Sequence, residues 1–388
     1  MSRQKAYVAS VGFTEVGDHW SKSLLDLAVE ASRGAMKGLG GKRKVDQVIV
    51  GNMFSAVGAS QEHLGALVTS ALGLHGTPAF KVEAACSSGG SAFNVGYNLV
   101  KSGAIGTALV VGVEKMRDLE PEEASRALAM AESAEYTQFV GATFAALNGL
   151  LARLYMEQEN VTRDELSAMP VLDHANAVTA AHAQFRKAIT AEVVSRSAMI
   201  ADPLRLFDCA PVGDGAAAAL IVDESALSET KGGRVEVLGG KIATNEFSVY
   251  EREDMLDFKA TREAFKGALA EAGLAPGKLS LMEVHDAFSV VGALSLEAMG
   301  FSERGRGSKD AKAGKYSRGG ELPINTFGGL KARGHPVGAT GMYQIAEAFL
   351  QLTDQAGKNQ VEGAKYAATQ NIGGVDSTSA VHVFGRGS

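Results

Sequence analysis

A chain of 388 residues with 46% hydrophobic and 21% charged content is long enough for two packed domains or one large duplicated body, and nothing in it suggests disorder. The net charge of -6 disfavours nucleic acid as a partner and points to small-molecule chemistry. With two cysteines, no secretory leader and no apolar run near the ~20 residues of a membrane span, the chain reads as cytoplasmic, without membrane contact or disulfide framework.

Residues 5–11 read as a first strand. Positions 24, 28, 31, 35 and 39 are apolar or small, the spacing of a helix over 23–39 with one buried face. A Gly-rich turn with Lys and Arg (40–44) leads into a strand over 45–54. The segment Val82-Glu83-Ala84-Ala85-Cys86-Ser87-Ser88-Gly89-Gly90 then breaks from an extended run into small residues that open a helix. A cysteine at such a helix start is expected to have a lowered pKa, because free amides and the positive end of the helix dipole favour thiolate. The other cysteine, Cys209, is expected to be structural.

A strand over 107–116 precedes a helix-rich stretch, 117–200, containing Met130, Phe139, Phe144, Leu151 and Tyr155. Gly213-Asp214-Gly215 then introduces a strand over 216–222. The second half repeats this order: a helix over 258–272, a strand over 279–288, and Val375-Asp376-Ser377 before a strand over 378–384. Asn52 and Asp214 lie 162 positions apart and Asp286 and Asp376 lie 90 apart, so the first half carries an excess of 72 residues, placed at about 117–200 as an insertion. The halves are read as 1–230 and 231–388. Two matched halves of alternating elements argue for α/β layers with sheets covered on both faces.

Three second-half segments gather chemistry. Residues 328–341 are crowded with glycine and hold His335 in a tight backbone. His285 stands at a strand end, where functional residues of α/β folds collect; a histidine simply closing the strand is the competing reading. Asn371-Ile372-Gly373-Gly374 closes a further strand, either as amides for an oxyanion or as an ordinary turn. No dinucleotide fingerprint follows the first strand, and no His/Cys/Asp cluster has metal-ligand spacing.

The motifs VEAACSSGG, EVHDAF, GGLKARGHPVGATG and QNIGG, in this order and spacing, resemble the thiolase superfamily over nearly the whole chain. They look most like the thiolases related to sterol carrier protein and archaeal acetoacetyl-CoA thiolases. The resemblance implies a duplicated fold layered α-β-α-β-α with a loop domain inserted in the first half. It also implies an acyl-CoA C-acyltransferase acting on a 3-oxoacyl-CoA, with Cys86 as nucleophile and His335 as its base. His285 would join His335 in holding an enolate oxygen, and the amides of Cys86 and Gly373 would hold the thioester oxygen. Asn371 and Ala287 occupy the places where the family carries its second, acid/base cysteine; His285 or a water is expected to replace it, and Ala287 to leave room for a bulky, branched or aromatic acyl group.

Coenzyme A is implied as co-substrate, with no permanently bound cofactor. A homodimer or larger assembly is implied, and a small zinc-binding partner subunit occurs in this branch. Arg186 and Lys187 are candidates for coenzyme A phosphates or else solvated; Lys331 and Arg333, near the His335 loop, are further candidates or else solvated or structural. Two other readings stay open: a decarboxylating ketosynthase-like condensing enzyme, and a non-catalytic acyl-CoA or lipid-binding subunit.

Overall fold

Residues 4–40 and 44–387 are described by the computed structural model; Gly41, Lys42 and Arg43 of the basic turn lie outside them. The helix expected from the first apolar stripe runs Leu24–Met36, with Ser23 capping it through Asp26 in both directions. Its buried face is Leu24, Leu27, Ala28, Ala31 and Ala35.

The strands are β1 (Ala6–Phe13), β2 (Gln47–Gly51), β3 (Ala79–Val82), β4 (Thr107–Glu114), β5 (Met199–Ala201), β6 (Leu204–Arg205), β7 (Gly215–Asp223), β8 (Val235–Thr244), β9 (Leu281–Glu283), β10 (Tyr366–Gly373) and β11 (Thr378–Arg386). Among the described residues nine of them pair in the order β3-β2-β4-β7-β1-β8-β11-β10-β9, and β5-β6 form a separate hairpin.

The order is a duplication. In the first half β1 is antiparallel to β7, β7 to β4, and β4 parallel to β2. In the second half β8 is antiparallel to β11, β11 to β10, and β10 parallel to β9. Among the described residues, the strand pairing that joins the two sets is that of Tyr7 and Val8 of β1 with Glu236 and Val235 of β8. The counterpart of β3 shrinks to a single parallel bridge between Met282 and Ile324. Leu24–Met36 covers the first set on one outer side and Lys259–Ala272 covers the second on the other, while Ser88–Lys101 and Thr340–Leu352 touch strands of both sets. Five layers result, helix-sheet-helix-sheet-helix, with the two central helices shared.

Glycine decides how closely those central helices cross. A Cβ on Gly89 would lie 2.8 Å from Gly338 O, and one on Gly341 would lie 2.4 Å from Gly90 N. Matched aspartates close each half: Asp214 accepts from the amides of Met116 and Arg117, Asp376 from those of Ala260 and Thr261.

Residues 115–214 join β4 to β7, whereas residues 374–377 join β10 to β11. The long connection carries the helices Pro121–Ala129, Phe144–Gln158 and Ala168–Ala177. One expected element differs: β9 ends at Glu283, so His285, Asp286 and Ala287 lie in a loop before the helix Ser289–Ala298. Side chains take the amides that a continued strand would have paired, since Val284 N donates to Asn325 Oδ1 and His285 N to Gln370 Oε1.

Candidate active site

After β3 the chain makes a sharp elbow. Ala85 has φ +50, in the left-handed region, and Ser88 Oγ locks the turn by donating to Ala85 O at 2.6 Å while accepting from Ala84 N. Cys86 follows, two residues before the helix Ser88–Lys101. Gly373 closes over the elbow, where a Cβ would lie 2.2 Å from Ala84 O.

Cys86 is 3% exposed, and its remaining exposure faces a cavity of about 420 Å³. Met116, Leu119, Leu128, Phe144, Val212 and Phe288 make that cavity largely apolar, and His335 and Ala287 share its wall; Trp20 and Arg117 also line it, their side chains in contact. The expected lowering of the thiol pKa is corrected by this setting. Burial first, then the carboxylates of Glu114 and Glu83, push the Cys86 thiol up to about 12. Half a unit of helix-dipole charge does not outweigh removal from water, so the resting group is a thiol.

His335 sits between Gly334, at φ +105, and Pro336. Its pKa is held well below the ordinary value by burial, then by His285 and Arg333, so the ring is neutral. Thr340 Oγ1 lies 2.7 Å from His335 Nδ1 and donates its own hydrogen to Pro336 O. Nδ1 therefore carries the proton, and Nε2 is left as an acceptor.

Asn371 polarises the other imidazole in the opposite sense. Its Oδ1 accepts from Gly90 N, so its Nδ2 donates to Cys86 O at 3.0 Å and to His285 Nδ1 at 3.1 Å. That leaves the proton of His285 on Nε2, a donor. Burial lowers the His285 pKa to about 3, with Arg333 and Lys331 adding to the shift against Asp286. The two rings meet edge to face, centroids 5.2 Å apart. His285 does not line the cavity; its ring packs against His335, which does.

Sequence reasoning missed much of what holds this arrangement. Glu114, at the end of β4, accepts from Met53 N, Asn52 Nδ2 and Gly338 N, tying the first half to the His335 loop. Burial raises its pKa to about 7. A carboxylate ending the apolar run of residues 108–113 was the available signal. Lys331 and Arg333 are fully buried, which removes the solvated reading: Lys331 Nζ reaches Asp286 Oδ2 at 3.1 Å and Arg333 Nε reaches Glu347 at 3.3 Å. Arg186 and Lys187 are exposed and away from the cavity wall. Cys209 packs against the apolar cluster of Leu151, Phe288 and Val375 and also lines the same cavity as Cys86.

A duplicated five-layer fold with an elbow cysteine and a neutral histidine on one apolar cavity defines an acyltransferase of the α/β class. The family description "Thiolase, N-terminal domain" matches residues 6–225 and "Thiolase C-terminal domain-like" matches residues 242–386, so the chain belongs to the thiolase family. An acetyl-CoA acetyltransferase of Methanothermobacter thermautotrophicus is 40% identical over 98% of this chain and 99% of its own length. Human sterol carrier protein 2 is 29% identical over 95% of this chain and 70% of its own. Among solved structures, human mitochondrial 3-ketoacyl-CoA thiolase in complex with CoA superposes with a TM-score of 0.77 at 19% identity, covering 99% of this chain and 98% of that one. An "Ltp2-ChsH2(DUF35) aldolase" superposes with a TM-score of 0.86 at 21% identity, over 99% and 98% of the two chains. No helix among the described residues is long and apolar enough to cross a membrane.

Proposed function

We propose that the chain cleaves a 3-oxoacyl-CoA with coenzyme A, or runs the reverse condensation, through an acyl group carried on Cys86. The observation that carries this reading is the pairing of a protonated thiol and a neutral, acceptor-oriented imidazole on one apolar cavity. His335 Nε2 takes the thiol proton as sulfur attacks the keto carbon, so the thiolate forms only when an electrophile is in place. The carbon–carbon bond breaks, and its electron pair becomes an enolate. Imidazolium His335 holds the enolate oxygen at the cavity wall, with the Nε2–H of His285 as a second donor from behind that ring. Backbone amides of Cys86 and Gly373 hold the oxygen of the acyl group on sulfur. Coenzyme A then attacks the acyl-enzyme and leaves as a second acyl-CoA.

The cavity wall beside Ala287, with Phe144, Phe288 and Leu128, favours an acyl group larger than acetyl. Coenzyme A enters as co-substrate past Trp20 and Arg117, and the chain works as a homodimer or larger assembly. A zinc-binding partner subunit is tested by co-purification. The decarboxylating reading requires a malonyl thioester and released carbon dioxide; the aldolase neighbour shares the fold, and Cys86 on the cavity favours acyl transfer over it.

The test is a panel of linear, branched and aromatic 3-oxoacyl-CoAs with free coenzyme A, products and protein both read by mass. An acyl adduct on the wild type that is absent in Cys86→Ser, with two acyl-CoA products, is the expected result. Absence of any adduct with every donor would return the chain to a binding role.

A further inference from the structure

The reaction assigned above needs two proton transfers that Cys86 and His335 do not complete between them. The enolate must be protonated on carbon, and the thiol of incoming coenzyme A must lose its proton. An imidazolium holding the enolate oxygen does not deliver the same proton to carbon without releasing that oxygen. A further acid/base group is therefore required within the cavity.

The cavity wall offers few. Asp118 and Glu120 are exposed, and Asp118 is tied to Lys115 at 2.6 Å. Ser125 carries a hydroxyl, too weak an acid to protonate carbon or to shuttle near neutral pH. Neither Ala287 nor Asn371, which reaches Cys86 O and His285 rather than the cavity, has a proton to exchange. One thiol remains besides Cys86. Cys209 runs alongside the loop that follows His285: it forms a bridge with Phe288, and Ala210 N donates to Ala287 O at 2.7 Å. That backbone pairing holds Cys209 beside the Ala287 wall of the cavity.

From this placement, and resting on the thiolase reading above, we propose that Cys209 is the acid/base group of the reaction, sharing with Cys86 the wall of one cavity. In the cleavage direction the Cys209 S–H bond breaks, its hydrogen forms the new C–H bond of the departing acetyl-type group, and the thiolate is left on Cys209. That thiolate then takes the proton of coenzyme A as its sulfur attacks the acyl group on Cys86, which restores the Cys209 thiol and leaves Cys86 as thiolate to recover its proton from His335. Protons and electron pairs balance without any added reactant. At rest the group is protonated, as a donor must be: its Sγ–H points to Arg205 O at 3.5 Å, and burial followed by Asp208 holds the thiol up at about 12.

The experiment separates the two thiols by a substrate that needs only one. p-Nitrophenyl acetate acylates a cysteine with a leaving group that departs unprotonated, so its labelling of Cys86, mapped by peptide mass, reads the nucleophile alone. Solvent deuterium entering the methyl group of acetyl-CoA reads proton exchange on carbon. In Cys209→Ser and Cys209→Ala, Cys86 labelling is expected within about threefold of wild type while deuterium entry falls by about 100-fold or more. Deuterium entry within about threefold of wild type in both variants overturns the proposal. So does a parallel loss of both readouts in Cys209→Ser with unchanged circular dichroism, since that assigns Cys209 to packing. Failure of the thiolase reading itself is distinct: wild type would then show neither a Cys86 adduct nor deuterium entry.

Discussion

His285 and His335 stand edge to face with ring centroids 5.2 Å apart, and their hydrogen bonds give them opposite roles: Thr340 leaves an acceptor on one, Asn371 leaves a donor on the other. Two neutral imidazoles thus offer one acceptor nitrogen and one N–H donor without either having to carry charge at rest. Asn371, through its Nδ2, sets the donor side of this division.

Asn371→Asp replaces the donating amide by a second acceptor facing both Cys86 O and His285 Nδ1. Turnover should fall by about 10²–10³ through loss of the His285 donor, with the melting temperature lowered by the buried mismatch. Steady-state kinetics alongside thermal melts check this; retention of half the turnover would remove Asn371 from the role.

Because Cys86 ionises only near 12, its labelling by iodoacetamide in the free protein should rise about tenfold per pH unit between about pH 7 and about pH 9. Peptide mass resolves Cys86 from Cys209. A plateau below about pH 8 would mean that the thiolate already exists before substrate binds.

Buried neutral His285 makes the fold sensitive to acid. Its pKa is near 3 in the folded state against an ordinary 6.5, so between those values the unfolded chain binds more protons. The stability it contributes is present above pH 6.5 and is lost as pH falls toward 3. Urea denaturation at stepped pH should show a shallower acid slope in His285→Asn; an identical slope would contradict the assignment.

Arg333→Met removes the permanent cation beside Glu347, leaving it His182 at 2.8 Å, and takes a cation from beside Glu283, inside a buried network. The expected loss is about 3–5 kcal/mol, the cost of an uncompensated buried charge. Equilibrium urea unfolding measures it, and a change below about 1 kcal/mol would show that the network tolerates the vacancy.

Ala287→Leu fills cavity wall next to Phe288. For branched and aromatic 3-oxoacyl-CoAs kcat/KM should drop by about 10-fold or more relative to acetoacetyl-CoA, the scale of a few methylenes of pocket fit. Uniform loss across the panel would place the acyl group elsewhere.

Much of this was legible along the chain. The helix stripe of 24–36, the Asp214 and Asp376 strand starts, the Cys86 elbow and the glycine-crowded His335 loop all announce themselves by local spacing. What escaped was set by neighbours distant in sequence. The thiol pKa moved up rather than down because Glu114 and apolar walls surround it, and Lys331 and Arg333 proved buried because Asp286 and Glu347 await them.

Sequence by itself determined the duplicated α/β order, through patterns repeated in each half, and singled out Cys86, His285 and His335, since each stands in a motif of residues within a few positions of one another. Tertiary structure alone decided which proton sits on which imidazole and brought Cys209 to the wall shared with Cys86. Those properties depend on a hydrogen bond from Asn371 to His285, 86 positions apart, and on a backbone pairing between 209–210 and 287–288. Such contacts form only when both halves close around one cavity.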